Sequence, residues 1–600
     1  MGTTTSRRAR IIQGMLGTAL AVGSLALAVG PAGAADSGAR PGSGRPPETV
    51  RVEGIVGAVH ADPTDDRARG YYETMVTDER DPSRSTAVTF PPALAERYGG
   101  IDGLTSKRVA VTAVSGRTGR TKSLTAVAVD VQGDATKGLG LGLPPVAAAT
   151  SKPQLTVLCK FADKPVEPQN QSFFQGLTGD NGLMDGYFHT TSYQQINLLG
   201  SKVAPATGSW FTLPFTQAEY VDADKKMKYG TLYGHCASQA ATQVNLDDFS
   251  VINMAFNTDL VGYAFGGQWD GRRVTWLPPL GWKNGGIVAH EIGHAFRMSH
   301  DGLASAYDNY WDVMSGSRKA CTPHATYICL PQHQSGFNKM KAGWLDGRIT
   351  EVPLQATTTL DLKPMDNPGT GPVVARISPV DPDNKHAYYV EYRRPAGVDA
   401  NLPFDGAPGA VLIYEYWETP KFETPEPGDV RGHIQLMGTD GQAGARWLPG
   451  SVFNREEMFT GNFCDNNNNC VKSPVEQAMA SEIDGIRIRV NSTSDAKASI
   501  TVTQLPALNL KAGAVTPSSY EVHWADPGTS TESYLKLSYT DLKKKSGTVI
   551  LPANATSYTF QNAPSGVKFQ NSIQACNALG CGPGGTTAYT GASKKQIKNA

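Results

Sequence analysis

Hydrophobic and polar positions change their period several times along the chain, and each change marks a stretch with its own architecture. Residues 49–133 alternate in short runs such as VRVEGIVGAVHA, STAVTF, RVAVTAVSG and SLTAVAVDV. That period predicts half-buried strands and a small, barrel-like β-domain. From 153 to 348 the pattern is mixed. QLTVLCKF and VINMAFN read as buried strands, while SFFQGL and LMDGYFHTTS read as helices, so an α/β (α+β) block is expected. Residues 349–505 return to strand-like runs (TTTLDLKP, HAYYVEYRR, GAVLIYEYW, GIRIRVNS, ASITVTQ) and predict a β-sandwich.

Between these blocks, residues 35–48 and 134–152 are rich in Gly, Pro and small residues and read as linkers. The basic tail 591–600 is short and polar. A chain of 600 residues exceeds one hydrophobic core, so a multidomain protein is expected.

Residues 506–590 contain YEVHWADP, SYLKLSYTD and TFQNAPSGVKFQNSIQACN. This block resembles a fibronectin type III module, in which Trp524 would be the core tryptophan of the second strand. Phe569 stands where that family usually has its corner tyrosine, so the corner keeps its packing and loses a hydroxyl.

The N-terminus carries Arg7, Arg8 and Arg10, then an apolar, Gly-dotted run, then Ala32-Gly33-Ala34 as a small-residue cleavage site. Residues 1–34 therefore read as a signal peptide of a secreted, extracellular protein with no stable membrane insertion after cleavage. Ser6-Arg7-Arg8 hints at twin-arginine export, and the route stays open. The eight cysteines fall into neighbouring couples, 159 with 236, 321 with 329, 464 with 470 and 576 with 581. Four disulfide bonds suit that oxidising destination. In CTPHATYICLPQH a zinc knuckle of Cys321, His324, Cys329 and His333 is the alternative to a disulfide.

Acidic and basic side chains balance at 55 each. No nucleic-acid groove or polybasic membrane surface is expected from such a chain, so the partner must be sought in a site.

That site is HEIGHAFRMSHD, residues 290–301. Asn284 is a good helix N-cap, and Val288, Ile292 and Ala295 recur on one face. His290 and His294 lie one turn apart and can share one Zn²⁺. Glu291 sits about 100° round the helix, near the metal but not aimed at it. His300 can supply the third ligand if the helix ends near Phe296 or Arg297 and the chain turns back. Asp301 is the alternative third ligand.

HExxH, a third histidine six residues on, and Met314 in YDNYWDVMSG resemble the metzincin zinc metallopeptidases. In that clan the methionine forms an apolar floor beneath the three imidazoles. GLMDGYFHTTSYQQINLLGSKV, WDVMSG and FNKMKAGWL narrow the resemblance to secreted bacterial immune inhibitor A and gametolysin-like peptidases, over residues 153–348. The clan normally has glycine where this chain has Arg297.

The resemblance implies a zinc metalloendopeptidase, a hydrolase acting on a protein or peptide substrate with Glu291 as general base. Tyr307 and Tyr310 are candidates for helping a developing oxyanion. Residues 36–150 stand where an inhibitory propeptide would. No cysteine precedes Cys159, which leaves a carboxylate latch or steric blockage; alternatively the domain is permanent and binds something.

Asp465 with the asparagines of CDNNNNC, and the stretches DPDNKH and DADKK, offer Ca²⁺ ligands but lack EF-hand spacing, so solvated turns are the better reading. The C-terminal β-domains would bind surfaces or polymers. A secreted adhesin or glycan-binding protein with an inactive peptidase-like domain is the rival reading. A thermolysin-like enzyme with a glutamate ligand on a later helix is disfavoured by the scarcity of glutamate between 292 and 350.

Overall fold

The computed structural model describes residues 49–64, 70–118, 121–138, 150–302, 307, 309–316, 320–353, 356–381, 386–417, 433–438, 445–454, 463–464, 470–471, 485–525, 531–541, 543–586 and 590–592. The signal peptide, the linker 35–48, most of the linker 134–152, Asp465 and the Cys464/Cys470 side chains lie outside the described residues.

The protein is multidomain and mostly β. The N-terminal region supplies β1 (Thr49–Pro63), β2 (Tyr71–Thr77), β3 (Ser85–Ala87), β4 (Lys107–Thr118) and β5 (Thr121–Asp134). After a short parallel pair, β6 (Thr150–Ser151) with β8 (Ile196–Asn197), come the strands of the mixed block. These are β7 (Gln154–Lys160), β9 (Lys202–Ala204), β10 (Phe211–Thr212), β11 (Val251–Phe256), β12 (Tyr263–Trp269) and β13 (Arg272–Leu277).

One sheet runs through both regions in the order β10-β7-β11-β13-β12-β1-β2-β3, with β4 on β1, β5 on β4 and β9 on β7. The fifteen-residue β1 makes this possible. Its first half pairs with β4 in the N-terminal domain, and its second half, Ala58 to Pro63, pairs antiparallel with β12.

Each face of the mixed sheet carries a core. On one side Leu155, Val157, Met254, Phe265 and Trp276 pack with helix Tyr229–Ala241, which the Cys159–Cys236 disulfide ties to β7. On the other, Leu158, Val251 and Ala255 pack against helices Gln171–Thr178 and Leu183–Thr191 and against the site helix, Gly285–Ala295. The first two helices and both buried strands fall where the hydrophobic pattern predicts them.

Residues 349–505 form a sandwich of a five-stranded sheet (Ile349–Val352, Val374–Asp381, His386–Arg393, Ala410–Trp417, His433–Leu436) and a four-stranded one (Thr358–Leu362, Lys497–Gln504, Ile486–Ser494, Val452–Asn454). Val390, Ile413, Ile488 and Ile500 lie between the two sheets. The outer face of the first sheet is also covered, because Tyr389, Leu412 and Tyr414 pack onto Trp311, Phe337 and Leu345 of the mixed block. Strand His386–Arg393 is consequently buried at every position.

The C-terminal domain is a two-sheet β-sandwich. Strands Lys511–Val515, Ser519–His523 and Ser557–Gln561 face a second sheet built on Tyr534–Asp541 and Phe569–Asn577, around Val522, Trp524, Leu537 and Ile573. The Phe569 ring stacks on Tyr520, whose hydroxyl donates to Asn571 at 3.2 Å. Disulfides Cys321–Cys329 and Cys576–Cys581 are formed. The first removes the thiolates a zinc knuckle would need, and His324 instead accepts from the backbone N–H groups of Thr326 and Tyr327.

Candidate metal centre

Asn284 starts the site helix, its side-chain oxygen accepting from the N–H groups of Gly286 and Ile287 at 2.9 and 3.4 Å. Helix and sheet meet closely because β12 carries glycine there. A Cβ on Gly266 would lie 2.4 Å from the Glu291 carbonyl oxygen, and one on Gly267 would lie 2.2 Å from that of Ala58 on β1.

The helix ends as the third histidine requires. Phe296 is the C-cap and Arg297 takes the left-handed conformation at φ 68°. The Arg297 N–H donates to the His294 carbonyl and the Met298 N–H to that of Gly293, each at 2.9 Å, which is the Schellman pattern. Gln268 also caps this end, donating to the carbonyls of His294 and Ala295. The chain then folds back and delivers His300.

The Nε2 atoms of His290, His294 and His300 lie 2.9 to 3.1 Å from one another. These contacts are not a closed set of hydrogen bonds. His290 Nδ1 faces the Val313 carbonyl at 2.7 Å and His294 Nδ1 faces the Met298 carbonyl at 3.0 Å. A carbonyl only accepts, so in the neutral form of each ring, the form that binds a metal, Nδ1 carries the proton and Nε2 presents a lone pair. Lone pairs converging at this distance repel unless a cation lies between them. Three nitrogens around zinc stand roughly 3.4 Å apart, so the donor set fits that ion.

A fourth group enters the same space. Asp62, near the end of β1 and only 6% exposed, places Oδ1 2.8 Å from His300 Nε2 and 3.5 Å from His290 Nε2, and Oδ2 3.3 Å from His294 Nε2. Burial opposes its ionisation, yet positive charge in the imidazole cluster it faces, on His300 first, outweighs burial and holds the carboxyl well below its ordinary range. His294 is pushed well below the usual histidine range, first by burial and then by His300. Asp62, His290, His294 and His300 form a buried group that can hold a metal ion. His60 shares their side of β1 and stacks on His294, ring centres 3.9 Å apart.

Tyr307 donates to Asp62 Oδ1 at 2.8 Å, and its ring lies 5.0 Å from that of His300. Tyr310 instead packs in the core beneath the sandwich. Asp301 turns from the cluster toward Asn309, whose amide donates to it at 3.0 Å, while burial and Asp312 raise its pKa well above the ordinary carboxylate range. Glu291 is fully buried on the helix face next to Gly266.

Met314 lies under the site helix: a Cβ on Gly293 would come within 2.4 Å of its sulfur. Its turn, Val313–Gly316, supplies the carbonyl that orients His290. Asp312 holds that turn through the N–H of Met314 and also accepts from Ser335 N–H and Asn338 Nδ2. Asn338 clamps Ser299, beside His300, through both its N–H (2.9 Å) and its carbonyl (3.0 Å). From the sandwich, Arg393 donates to the Trp311 carbonyl at 2.7 Å while pairing with Glu391 and Asp399.

Asp62, Asn338 and Arg393 are absent from the sequence-based set of site residues. For Asp62 a signal exists in GAVHADP, where His60 and Asp62 place two polar groups on one face of an otherwise apolar strand. Asp222, in DADKK, caps its own turn by accepting from the N–H groups of Asp224 and Lys226. No helix among the described residues is long and apolar enough to cross a membrane.

No known protein-family profile matches the chain. No curated protein matches it. Among solved structures it is similar to the fn3 domain of human collagen alpha-1(XX) chain, at 20% identity and a TM-score of 0.13, covering 14% of this chain and 82% of that one. It is also similar to the fn3 domain of human contactin 1, at 18% identity and a TM-score of 0.14, covering 16% of this chain and 86% of that one.

Proposed function

We propose that the chain is a secreted zinc-dependent endopeptidase of the metzincin kind, resembling the immune inhibitor A and gametolysin-like peptidases. The observation that carries this reading is the convergence of three imidazole Nε2 atoms, two of them with Nδ1 protons committed to carbonyls. The disulfides agree with an oxidising, extracellular setting.

Zinc, when bound, acts as a Lewis acid on a carbonyl and makes an attached water acidic near neutral pH. The protein's own groups do the rest. His290, His294 and His300 hold the ion through Nε2. Glu291 takes a proton from the attacking water and passes it to the departing amine nitrogen. Tyr307 donates its hydroxyl hydrogen bond to the carbonyl oxygen as negative charge grows there, the position Asp62 Oδ1 now occupies. Val313, Met298 and Asn338 fix the rings and their loop so that none reorients during reaction.

The test uses casein digestion in an Asp62→Ala background, where no carboxylate competes for the site. Digestion is expected to stop with a zinc chelator and to be lost in the Asp62→Ala/Glu291→Ala double variant, which keeps its zinc. Equal digestion by the double variant would overturn the reading.

A further inference from the structure

We infer that Asp312 is a positioning residue of the metal centre, acting on His290 through the peptide bond between Val313 and Met314 and on His300 through Asn338. The inference rests on the metal-binding part of the reading above and adds what orients two of the three donors and strengthens one of them.

The route to His290 runs through a single peptide unit. Asp312 Oδ1 accepts from the Met314 N–H at 2.7 Å. The carbonyl of that same peptide, Val313 O, faces His290 Nδ1 at 2.7 Å and accepts its proton. A carboxylate at the N–H end of a peptide polarises the unit toward its carbonyl oxygen, because hydrogen bonds in a chain strengthen one another. The carbonyl then draws more strongly on the Nδ1 proton, which makes the Nε2 lone pair of the same ring a better donor. Asp312 thus stands to His290 as a carboxylate bonded directly to a metal-binding imidazole would, with one peptide between them.

The route to His300 uses the other oxygen. Asp312 Oδ2 accepts from Asn338 Nδ2 at 3.2 Å and from the Ser335 N–H at 2.9 Å. Asn338 Nδ2 also donates to the Ser299 carbonyl at 3.0 Å, and its amide oxygen accepts from the Ser299 N–H at 2.9 Å. That carbonyl belongs to the peptide leading into His300. One carboxylate therefore joins ligands that come from the site helix and from the loop beyond it. His294 is held differently, its Nδ1 facing the Met298 carbonyl at 3.0 Å in the turn that ends its own helix.

Asp312 is fully buried, where a carboxylate is costly unless its lone pairs find donors. Three N–H groups meet that need, and the sandwich frames them. Arg393 donates to the carbonyl of Trp311, the residue before Asp312, at 2.7 Å. Glu391 accepts from the N–H of Gly336, the residue after Ser335. Each of the two segments that Asp312 bridges is thereby pinned one residue away.

A carboxylate that merely shaped the turn would leave the imidazole hydrogen bonds alone, so the test reads those bonds. The full chain is loaded with zinc and carries isotope-labelled histidine, and nuclear magnetic resonance follows the Nδ1 protons of His290 and His294. In wild type the His290 proton is expected downfield of the His294 proton; the reverse order would overturn the polarised peptide, and this measurement needs no variant. Asp312→Asn is expected to move the His290 signal upfield, leave the His294 signal in place, and weaken zinc binding about 10–100-fold in competition with a chelator. Asn338→Ala severs the second route alone, so zinc should weaken while the His290 signal stays. Asp312→Asn with wild-type zinc affinity and an unmoved His290 signal would overturn the role of Asp312 and leave the metal centre standing. Equal shifts of both histidines would mean general loosening and would overturn the route through the peptide. Wild type that takes up no zinc would overturn the metal centre, and this role with it. None of these readouts depends on casein digestion, so the peptidase reading stands or falls separately.

Discussion

The N–H of Arg297 donates to the carbonyl of His294 at 2.9 Å from a left-handed backbone, so the residue that departs from the expected glycine still closes the helix. Side chains with a Cβ adopt that conformation at a cost of about 1–2 kcal/mol. The hydrogen bonds of the Schellman turn, the Gln268 cap and the packing of Met298 offset it. Arg297→Gly is therefore expected to stabilise the protein by up to about 1 kcal/mol. The denaturant midpoint should rise with the slope unchanged, and zinc affinity should hold. A fall in midpoint would show that the arginine side chain contributes more than its backbone conformation costs.

Gly293 and Met314 set the floor of the centre. Alanine at 293 places a Cβ 2.4 Å from the methionine sulfur, inside van der Waals contact, so the sulfur or the helix must move. Overpacking of this kind costs about 1–3 kcal/mol. Gly293→Ala should lower the melting temperature and weaken zinc binding together. Met314→Leu in the same background removes the sulfur, and recovery of both properties is the outcome that supports direct contact.

How much of this was legible in the sequence depends on whether the signal was local. The site helix, its Asn284 cap and strands β7 and β11 come from periodicity within a dozen residues, and the structure has them there. The helix end at Phe296 follows from the need to bring His300 back. Asp62 was not legible as a site residue, because strand pairing between β1 and β12 brings it to the histidines and nothing local announces that pairing. The role of Arg393 was hidden for the same reason. A fully buried strand reads as sandwich core, and only the docking of its outer face on Trp311 shows that the sandwich braces the Met314 turn.

Asn338 joins two parts of the centre that are separate in sequence, the loop before His300 and Asp312 under Met314. Asn338→Ala leaves the Ser299 N–H and carbonyl without these partners in a buried place, each costing about 1–3 kcal/mol. Supporting residues of this type commonly alter metal affinity by about 10–100-fold. The expected result is a weaker zinc complex, measured by competition with a chelator, and a lower unfolding midpoint. Asn338→Asp, which keeps one acceptor, should lie between the two.

Zinc itself should stabilise the fold, because the Nε2 lone pairs converge only in the folded state. A ligand present at a thousand times its dissociation constant adds about 4 kcal/mol. Removing metal with a chelator should lower the melting temperature, and adding zinc should restore it. The shift should be smaller in His300→Ala. A melt indifferent to zinc would count against the metal centre.

His333 provides a pH signature outside the metal centre. It is fully buried, its ring Nδ1 accepts a hydrogen bond from Lys339 Nζ at 2.8 Å, and it lies near Arg393, while its backbone N–H donates to Asp399. Burial first, then the charges of Lys339 and Arg393, hold its pKa well below the ordinary histidine value. The folded protein keeps the ring neutral, whereas the unfolded chain binds a proton near pH 6.5. Stability from this group is thus complete above about pH 6.5 and falls as pH drops below it, by up to about 1.4 kcal/mol per pH unit until the folded-state pKa is reached. His333→Gln retains an acceptor for Lys339 but no longer titrates. Urea unfolding from pH 7.5 to 4.5 should show a shallower acid-side decline in the variant, by one proton's worth of slope. Parallel declines in the two proteins would mean that His333 is protonated in the folded state as readily as in the unfolded chain.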